Sequence, residues 1–251
     1  MTQTNNHDHG ISFEHVSKSF DTKKVLRDVS FQISPGEAFC LLGRSGMGKS
    51  VTLKLMIRLL KPDEGSISIN GTDIVQADTP TLNNVRKTVG FLFQDAALFD
   101  SLTVGENVAF PLRRHTRKPE TEIWKVVQEK LKNVELENEQ NTMPADLSGG
   151  MRKRAGLARA LALDPRILLI DEPSSGLDRI TANEIYQLLR RLKENRNVTL
   201  VVVTHDVMGA RMFADRFAVL DKGRIAACGS YEEVESSENS LVRELAAGSE
   251  R

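Results

Sequence analysis

The chain has 251 residues, of which 40% are hydrophobic and 27% are charged, and its formal net charge is zero. These values are typical of a globular α/β protein, and they give no argument for nucleic acid or an anionic surface as an obligate partner. No apolar run approaches the ~20 residues of a membrane-spanning helix, so we do not expect the chain to cross a membrane by itself. The polar residues 1–10 predict a disordered tail and not a signal peptide.

The first predicted elements are β-strands. Two β-rich runs cover residues 11–20 and 25–33, and a turn at 35–36 leads into a short apolar strand over residues 38–42. An amphipathic helix is predicted over residues 51–60.

The two cysteines, Cys40 and Cys228, both lie in apolar runs that are typical of strands. We expect both to be reduced core residues of a cytosolic protein, because two isolated cysteines are more often free than joined in a disulfide.

Residues 43–50, with the sequence GRSGMGKS, connect that strand to that helix and fit the pattern G-x-x-x-x-G-K-[ST]. Glycines without Cβ atoms let successive N–H groups turn inward as an anion-binding nest, and the helix N-terminus adds partial positive charge. We expect Lys49 to reach the β- and γ-phosphates and Ser50 to hold Mg²⁺. A chance glycine-rich turn is the alternative, which the flanking strand and helix disfavour. The residues predicted to bind the triphosphate are Gly43, Arg44, Ser45, Gly46, Met47, Gly48, Lys49, Ser50 and Val51.

The next segment ends the first α/β unit. A short strand over residues 66–69 stops at Asn70-Gly71, a dipeptide typical of hairpin turns, and another strand over residues 89–93 ends at Gln94.

Helices are predicted from residue 95 onward. Thr103 and Glu106 form a T-x-x-E capping box for a short helix, which we expect Pro111 to end. An amphipathic helix is predicted over residues 120–134. The basic run 113–118 is more typical of a solvated face than of a lipid or acidic-partner site.

The remaining elements return to alternating helices and strands. The predicted helices cover residues 149–163, 182–194 and 207–213, the buried parallel strands cover 167–170 and 200–203, an edge hairpin covers 216–220 and 224–228, and the residues from 231 on are helical and polar.

Polar residues follow several of these strands, where the strand ends of a parallel sheet meet. Asp171 is placed to hold Mg²⁺ through water, and Glu172 to orient and polarise the water that attacks the γ-phosphate. A helix-initiating acidic pair is the alternative. His205 is a candidate contact to the γ-phosphate, although alone it could be a core or capping histidine, and Gln94 could reach Mg²⁺ and the attacking water.

Ser148, Gly149 and Gly150 begin a predicted helix and form a second anion-binding helix terminus. A capping role accounts for Ser148 but not for the glycine pair. Because one triphosphate needs only one such terminus from a monomer, we expect this surface to complete a site on another molecule.

Taken in order, these motifs resemble the full motif set of an ABC-transporter ATPase subunit, from about residue 11 to about residue 234. The motif residues are those at 43–50, 94, 147–151, 167–172, 175–178 and 205. The resemblance implies an α/β fold with a RecA-like P-loop core, an N-terminal antiparallel β-subdomain and an inserted α-helical subdomain. It also implies that Phe20 stacks on adenine, that Asp178 is the D-loop aspartate, and that Ser148, Gly149 and Gly150 are the signature motif. Two copies would then hold two ATP molecules with Mg²⁺ between them.

The resemblance also implies a division of the chain. The catalytic subdomain is expected over residues 11–94 and 164–235, the helical subdomain with the signature over 95–163, and a C-terminal tail over 236–251.

Residues 92–99, 107–113 and 147–162 resemble more narrowly the ATPase of the Mla phospholipid system, and Met151 stands where many ABC ATPases have Gln. This implies phospholipid transport at the cytoplasmic face of the bacterial inner membrane, with permease subunits, an MCE-type lipid-binding protein and a small STAS-type subunit as partners. Arg179 occupies a position that is often Pro in this family. The sequence ends at Arg251 without the aromatic- and proline-bearing tail of some such ATPases, so that contact with a partner is not expected.

Two other functions stay open at this point. The chain could serve an ABC transporter of another small molecule, because substrate chemistry belongs to a separate polypeptide, and the direction of transport is open as well. It could also be a non-transport soluble ABC ATPase, but those resemble tandem cassettes or carry long coiled-coil or zinc-bearing insertions. A P-loop kinase or switch GTPase is disfavoured because neither needs a signature loop.

Overall fold

The computed structural model describes residues 10–196, 198–237, 239 and 242. The predicted N-terminal tail, apart from residue 10, and most of the predicted C-terminal tail lie outside the described residues. The strands are β1 (Ile11–Phe20), β2 (Lys23–Ile33), β3 (Ala38–Leu42), β4 (Glu64–Ile69), β5 (Thr72–Asp73), β6 (Val89–Leu92), β7 (Ile167–Asp171), β8 (Thr199–Thr204), β9 (Arg216–Asp221) and β10 (Arg224–Gly229). The α-helices are α1 (Lys49–Met56), α2 (Thr79–Lys87), α3 (Val104–His115), α4 (Glu120–Asn133), α5 (Gly149–Ala160), α6 (Arg179–Arg196), α7 (Val207–Arg211) and α8 (Tyr231–Glu235), and a 3₁₀ turn covers Pro144–Asp146.

A six-stranded sheet in the order β10-β9-β3-β8-β7-β6 forms the centre of the molecule. Its strands are parallel except β10, which pairs antiparallel with β9 at the edge. This confirms the predicted buried parallel strands and the predicted edge hairpin. The carboxyl ends of β3, β6, β7 and β8 therefore meet at one edge of the sheet, where ligands bind in open α/β folds.

Both faces of this sheet are covered, as strands without polar alternation require. In β3, the side chains of Phe39 and Leu41 pack into one hydrophobic core and those of Cys40 and Leu42 into the other. All five residues of β3 are buried.

A second, antiparallel sheet in the order β2-β1-β4-β5 packs on one of these faces. Stacked aromatic rings connect the two sheets: the ring centroids of Phe13 and Phe31 lie 4.6 Å apart, and those of Phe31 and Phe39 lie 5.3 Å apart. The predicted hairpin at Asn70-Gly71 is confirmed, with φ of 47° and 77° at its two residues. Together, the mixed α/β sheets match the fold class that the sequence predicts.

Helices α3, α4 and α5 pack together beside β6. The capping box at the start of α3 is confirmed: the Thr103 hydroxyl accepts a hydrogen bond from the N–H of Glu106, and the Glu106 carboxylate accepts one from the N–H of Thr103. The prediction that Pro111 ends this helix is wrong, because α3 continues to His115. Pro111 removes one backbone donor, but burial of Leu112 in the core holds the next turn in place.

Other expectations differ from the structure at particular residues. Cys40 is buried, but Cys228 is exposed, so the expectation that both cysteines lie in the core is wrong for Cys228; both thiols are free. Cys228 lies on the edge strand β10, one side of which faces solvent. Helix α2 was not predicted, although Asp78 caps it by accepting from the N–H of Thr81. Helix α1 ends before the predicted residue 60, since Arg58 has a left-handed backbone.

No helix within the described ranges is both long enough and apolar enough to span a bilayer.

Candidate nucleotide site

The loop between β3 and α1 has the backbone that an anion nest requires. Gly46 and Gly48 have φ of 78° and 106°, values that residues with a Cβ atom rarely adopt. A Cβ atom on Gly43 would lie 2.7 Å from the carbonyl oxygen of Leu220, so this glycine allows the close approach of β9. Gly46 and Gly48 are therefore required by the backbone conformation of the loop, and Gly43 by the close approach of β9.

Lys49, the first residue of α1, is buried against the loop. Its ammonium donates hydrogen bonds to the carbonyl oxygens of Gly43 (2.7 Å) and Arg44 (3.2 Å) and lies 3.1 Å from Oε1 of Glu172. An incoming triphosphate would offer this ammonium stronger anionic partners than two carbonyl groups.

Ser50 and Asp171 are brought together from the start of α1 and the end of β7. The Ser50 hydroxyl donates a hydrogen bond of 2.8 Å to Oδ1 of Asp171. Burial and the neighbouring Glu172 raise the pKa of Asp171, while the Ser50 hydrogen bond acts in the opposite direction.

These residues fit a magnesium ion. A hydroxyl, a carboxylate and the nearby Gln94 amide are oxygen ligands, and Mg²⁺ is commonly held by one carboxylate plus substrate phosphates. The described part of the chain holds no cluster of three or more His, Cys, Asp or Glu that would suit another metal.

Glu172 follows Asp171 with a left-handed backbone, φ 45°, which is unusual for a residue with a side chain. Its N–H donates to the carbonyl oxygen of Val203 at 2.9 Å, and the residue is only 8% exposed. Its carboxylate lies between two predicted site residues, with Oε1 near Lys49 and Oε2 2.9 Å from Nδ1 of His205. Strained backbone of this kind is typical of functional sites.

A cleft of about 460 Å³ collects most of the predicted residues at the sheet edge. The predicted residues that line it are Phe20, Ser45, Gly46, Gly48, Lys49, Ser50, Val51, Gln94, Glu172 and His205. Phe20 is 41% exposed, and the Lys18 ammonium lies 5.5 Å from its ring centroid, so the ring presents a surface on which a base could stack.

Ser148 and Gly150 line a different groove, together with Met151 and Thr181. The Ser148 hydroxyl caps α5 by accepting from the N–H of Met151 at 3.2 Å. A Cβ atom on Gly150 would lie 2.4 Å from Cγ2 of Thr181, so this glycine permits close packing of α5 on α6. Gly149 is the first residue of α5.

Asp178 caps α6 beside that groove. It accepts hydrogen bonds from the N–H groups of Ile180 and Thr181, both 3.0 Å, and from the Thr181 hydroxyl at 2.6 Å. The structure thus places the predicted signature residues and Asp178 outside the cleft that contains Lys49.

The sequence assigned no individual role to two residues that line or support the cleft, although one of them, Ser175, lies within the motif at 175–178. Ser175 lines the cleft, with its hydroxyl 3.4 Å from Nε2 of Gln94. Lys153, on α5, is buried and donates to the main-chain carbonyl oxygens of Gln94 and Glu172. Burial lowers the pKa of Lys153. No local pattern in the sequence signals the contacts of Lys153, because they depend on how closely α5 packs against β6.

A phosphate loop, a strand-end acidic pair and a capped second helix terminus on this α/β fold define a nucleoside-triphosphate-binding ATPase. The profile of the family described as ABC transporter matches residues 26–175, and the chain belongs to this family. It is an ATP hydrolase, the ATPase subunit of an ABC transporter.

Sequence similarity to known proteins extends over nearly the whole chain. The probable ribonucleotide transport ATP-binding protein mkl of Mycobacterium leprae is 44% identical over 95% of this chain and 69% of the relative. The intermembrane phospholipid transport system ATP-binding protein MlaF of Haemophilus influenzae is 39% identical over 89% of this chain and 85% of the relative. A solved ATP-binding cassette in a dimeric post-hydrolysis state, bound to ADP and Pi, has a TM-score of 0.82 and 36% identity, covering 88% of this chain and 98% of its own.

The names of further relatives point to other substrates. A sulfate/thiosulfate import ATP-binding protein of Pseudomonas syringae is 42% identical over 96% of this chain and 74% of the relative. The family is therefore clear, and the transported molecule is not fixed by likeness alone.

Proposed function

We propose that two copies of this chain sandwich two ATP molecules and use their hydrolysis to drive phospholipid transport between bacterial membranes through a separate permease. The observation that supports the ATP sandwich is that two anion-binding helix termini lie at separate places on one chain. Lys49 lies in one cleft, and Ser148 caps a helix at another groove. Two copies related by a two-fold axis would bring each terminus to the other's nucleotide.

Exposed apolar residues support a second copy as the occupant of this face. Ile180 is 76% exposed and Met208 is 47% exposed, and both line a broad depression of about 1400 Å³ that also includes Ser45 of the phosphate loop and His205. Exposed apolar patches of this kind are typical of interaction sites. A similar solved cassette is described as a dimer, which supports a second copy as the partner.

In the proposed mechanism, the loop N–H groups and Lys49 bind the β- and γ-phosphates, and Phe20 stacks on adenine. Mg²⁺ would be held by Ser50, Gln94 and, through water, Asp171, and would neutralise charge on the phosphates. Glu172 then orients a water whose oxygen attacks the γ-phosphorus while the bond to the bridging oxygen breaks and ADP leaves.

The closed state is stabilised only while the γ-phosphate connects both copies. His205 and the signature N–H groups of the other copy would meet the negative charge of the transferring phosphoryl group. Phosphate release removes these contacts, and the dimer reopens. We also propose that residues 95–163 move relative to the catalytic residues 11–94 and 164–235 during this cycle. Asp178 would lie near the interface between the two copies.

A groove next to Gln94 is the proposed docking place of the permease. It has a volume of about 450 Å³ and is lined by Phe91, Phe93, Phe99 and Phe110, among which Phe99 and Phe110 are 43% and 44% exposed. An apolar segment of a membrane subunit fits this aromatic surface. The ATPase would then be peripheral, at the cytoplasmic face of the inner membrane.

Phospholipid is the proposed substrate because residues 92–99, 107–113 and 147–162 resemble the Mla ATPase and because one relative is named for intermembrane phospholipid transport. An MCE-type lipid-binding protein and a STAS-type subunit are the further partners that this proposal includes. The second candidate is transport of another small molecule, which the names of the sulfate and ribonucleotide relatives favour.

The test is purification of the tagged chain with its native membrane partners, followed by reconstitution into proteoliposomes. The proposal predicts that a permease copurifies, that added phospholipid stimulates ATP hydrolysis, and that lipid moves between vesicles only with ATP. Stimulation by sulfate or a nucleotide, with no lipid movement, would favour the second candidate. A chain that copurifies with no membrane protein would contradict the transporter assignment.

A further inference from the structure

One face of α5, formed by Lys153, Gly156 and Arg159, contacts the end of β6 and the segment that follows it. Near the start of the helix, the Lys153 ammonium donates to the main-chain carbonyl oxygen of Gln94. One turn later, a Cβ atom on Gly156 would lie 2.8 Å from Cδ1 of Leu92 and 3.0 Å from Cβ of Ala96, so a larger residue would force one of these neighbours to shift. The helix and the Gln94 segment are therefore packed without free space between them.

The same face continues at Arg159. Its guanidinium donates 2.6 Å hydrogen bonds to the carbonyl oxygens of Ala96 and Ala97, which both have positive φ, 59° and 48°. These two hydrogen bonds hold a backbone conformation that alanine rarely adopts. A displacement of α5 must therefore displace the Gln94 segment as well.

Lys153 also reaches the catalytic strand. Its ammonium donates a 3.1 Å hydrogen bond to the main-chain carbonyl oxygen of Glu172, and the residue is only 6% exposed. A buried lysine is uncommon unless its amine has partners, and here two main-chain carbonyl groups supply them. The Lys153 ammonium thus connects α5 to the main chain just after β6 and just after β7.

The contact with Glu172 bears on the direction of its carboxylate. Glu172 has a left-handed backbone, which is unfavourable for a residue with a Cβ atom. The N–H bond to Val203 and the carbonyl bond from Lys153 hold the peptide groups on the two sides of this residue. Without the second bond, the carboxylate would lose part of the support for its direction.

We propose that Lys153 is a positioning residue for ATP hydrolysis, which couples the N-terminus of α5 to Gln94 and Glu172 of its own chain. This rests on the proposed dimer, in which the nucleotide bound to the partner docks at Ser148 on the same helix. When Ser148 contacts the nucleotide bound to the partner, Lys153 would fix the direction of the Glu172 carboxylate at the nucleotide bound to its own chain. The two sites of the dimer become ready together.

The test compares Lys153→Met, which keeps the length of the side chain but removes its donors, with Lys153→Gln, which keeps a donor. Lys132→Met, on the exposed face of α4, is the matched control. We measure kcat and KM for ATP, the thermal midpoint, and ATP-driven dimerisation with each substitution added to Glu172→Gln. We expect Lys153→Met to lower kcat about tenfold or more with KM and dimerisation within about twofold of the parent, and Lys153→Gln to recover most of kcat.

Three outcomes would overturn this inference. These are a parental kcat in Lys153→Met, an equal loss of kcat in Lys153→Met and Lys153→Gln, and a loss of dimerisation that accompanies the loss of kcat in both variants. Should Lys153→Met fail to fold, Lys153→Gln still tests the inference, because the inference requires that this variant fold and hydrolyse ATP. Failure of the Glu172→Gln chain itself to dimerise with ATP is a different result, which contradicts the proposed sandwich and not the role of Lys153.

Discussion

The carboxylate of Glu172 lies 2.9 Å from Nδ1 of His205. The other carboxylate oxygen lies 3.1 Å from the ammonium of Lys49, so two groups predicted to contact the γ-phosphate are both paired with the predicted water-orienting residue. Because a triphosphate offers Lys49 several negative charges against the single charge of this carboxylate, nucleotide binding should draw the ammonium away from Glu172. The carboxylate is then available to a water molecule.

Replacement of Glu172 by Gln is expected to leave ATP affinity within about threefold and to lower turnover by about 10²-fold or more, since an amide is a much weaker base than a carboxylate. Binding of a fluorescent ATP analogue and release of phosphate measure the two effects separately. Glu232→Gln, at an exposed position of α8, is the matched control and should behave as the parent. A Glu172→Gln chain that hydrolyses ATP at the parental rate would remove Glu172 from its proposed role.

Replacement of Lys49 by Ala is expected to weaken ATP binding by about tenfold or more, because the triphosphate loses a buried cation that makes charge-assisted hydrogen bonds. Equilibrium titration with the labelled nucleotide measures this. Lys61→Ala, which removes an exposed lysine beyond the end of α1, should change affinity little. Equal affinities of the two variants would show that Lys49 does not contact the phosphates.

Replacement of Asp171 by Asn is expected to raise the thermal midpoint of the nucleotide-free chain by a few degrees. Burial and the neighbouring Glu172 raise the pKa of Asp171, so its charged form is unfavourable in the folded protein. The amide can keep the hydrogen bond with Ser50, but it lacks the negative charge with which the carboxylate attracts Mg²⁺ and its bound water. Calorimetry in EDTA and a magnesium titration of ATP hydrolysis test the two effects. A lower midpoint with unchanged magnesium dependence would contradict both.

Much of this site could be predicted because its residues lie within short motifs. The loop at 43–50 needs only a glycine pattern between a strand and a helix, and Gln94, Asp171, Glu172 and His205 each follow an apolar strand. Parallel strands place such residues at one edge of a sheet wherever they occur in the chain. The central sheet and the capping box of α3 were predictable for the same local reasons.

What the sequence did not predict depends on contacts between distant residues. Lys153 and Glu172 meet because Gly156 on α5 and Gly90 on β6 let the helix approach the strand, and no local pattern predicts that approach. The continuation of α3 past Pro111 depends on the burial of Leu112, and the exposure of Cys228 depends on the position of β10 at the sheet edge.

A buried phenol provides another such contact. The Tyr186 hydroxyl lies 2.6 Å from the Ser174 hydroxyl and 2.8 Å from Oδ2 of Asp206, so it joins α6 to the segments after Glu172 and His205. Tyr186→Phe keeps the ring and is expected to lower the free energy of unfolding by about 1–2 kcal/mol, because both hydrogen bonds of the phenol are lost and Asp206 is left with fewer partners.

Urea denaturation measures this loss. The control is Tyr231→Phe, whose hydroxyl donates to the exposed Glu235 at 2.9 Å and should contribute less. A Tyr186→Phe chain as stable as the parent, or a larger loss in Tyr231→Phe, would show that the buried phenol does not join these segments.

The most direct test of the central claim is the mass of the Glu172→Gln chain in solution, measured by light scattering with and without ATP and Mg²⁺. We predict a monomer of 27.9 kDa without nucleotide, a dimer of twice that mass with ATP, and no dimer when Ser148→Arg is added, since the arginine would fill the terminus that receives the partner's γ-phosphate. A chain that stays monomeric at saturating ATP, or a Ser148→Arg chain that still dimerises, would contradict the account.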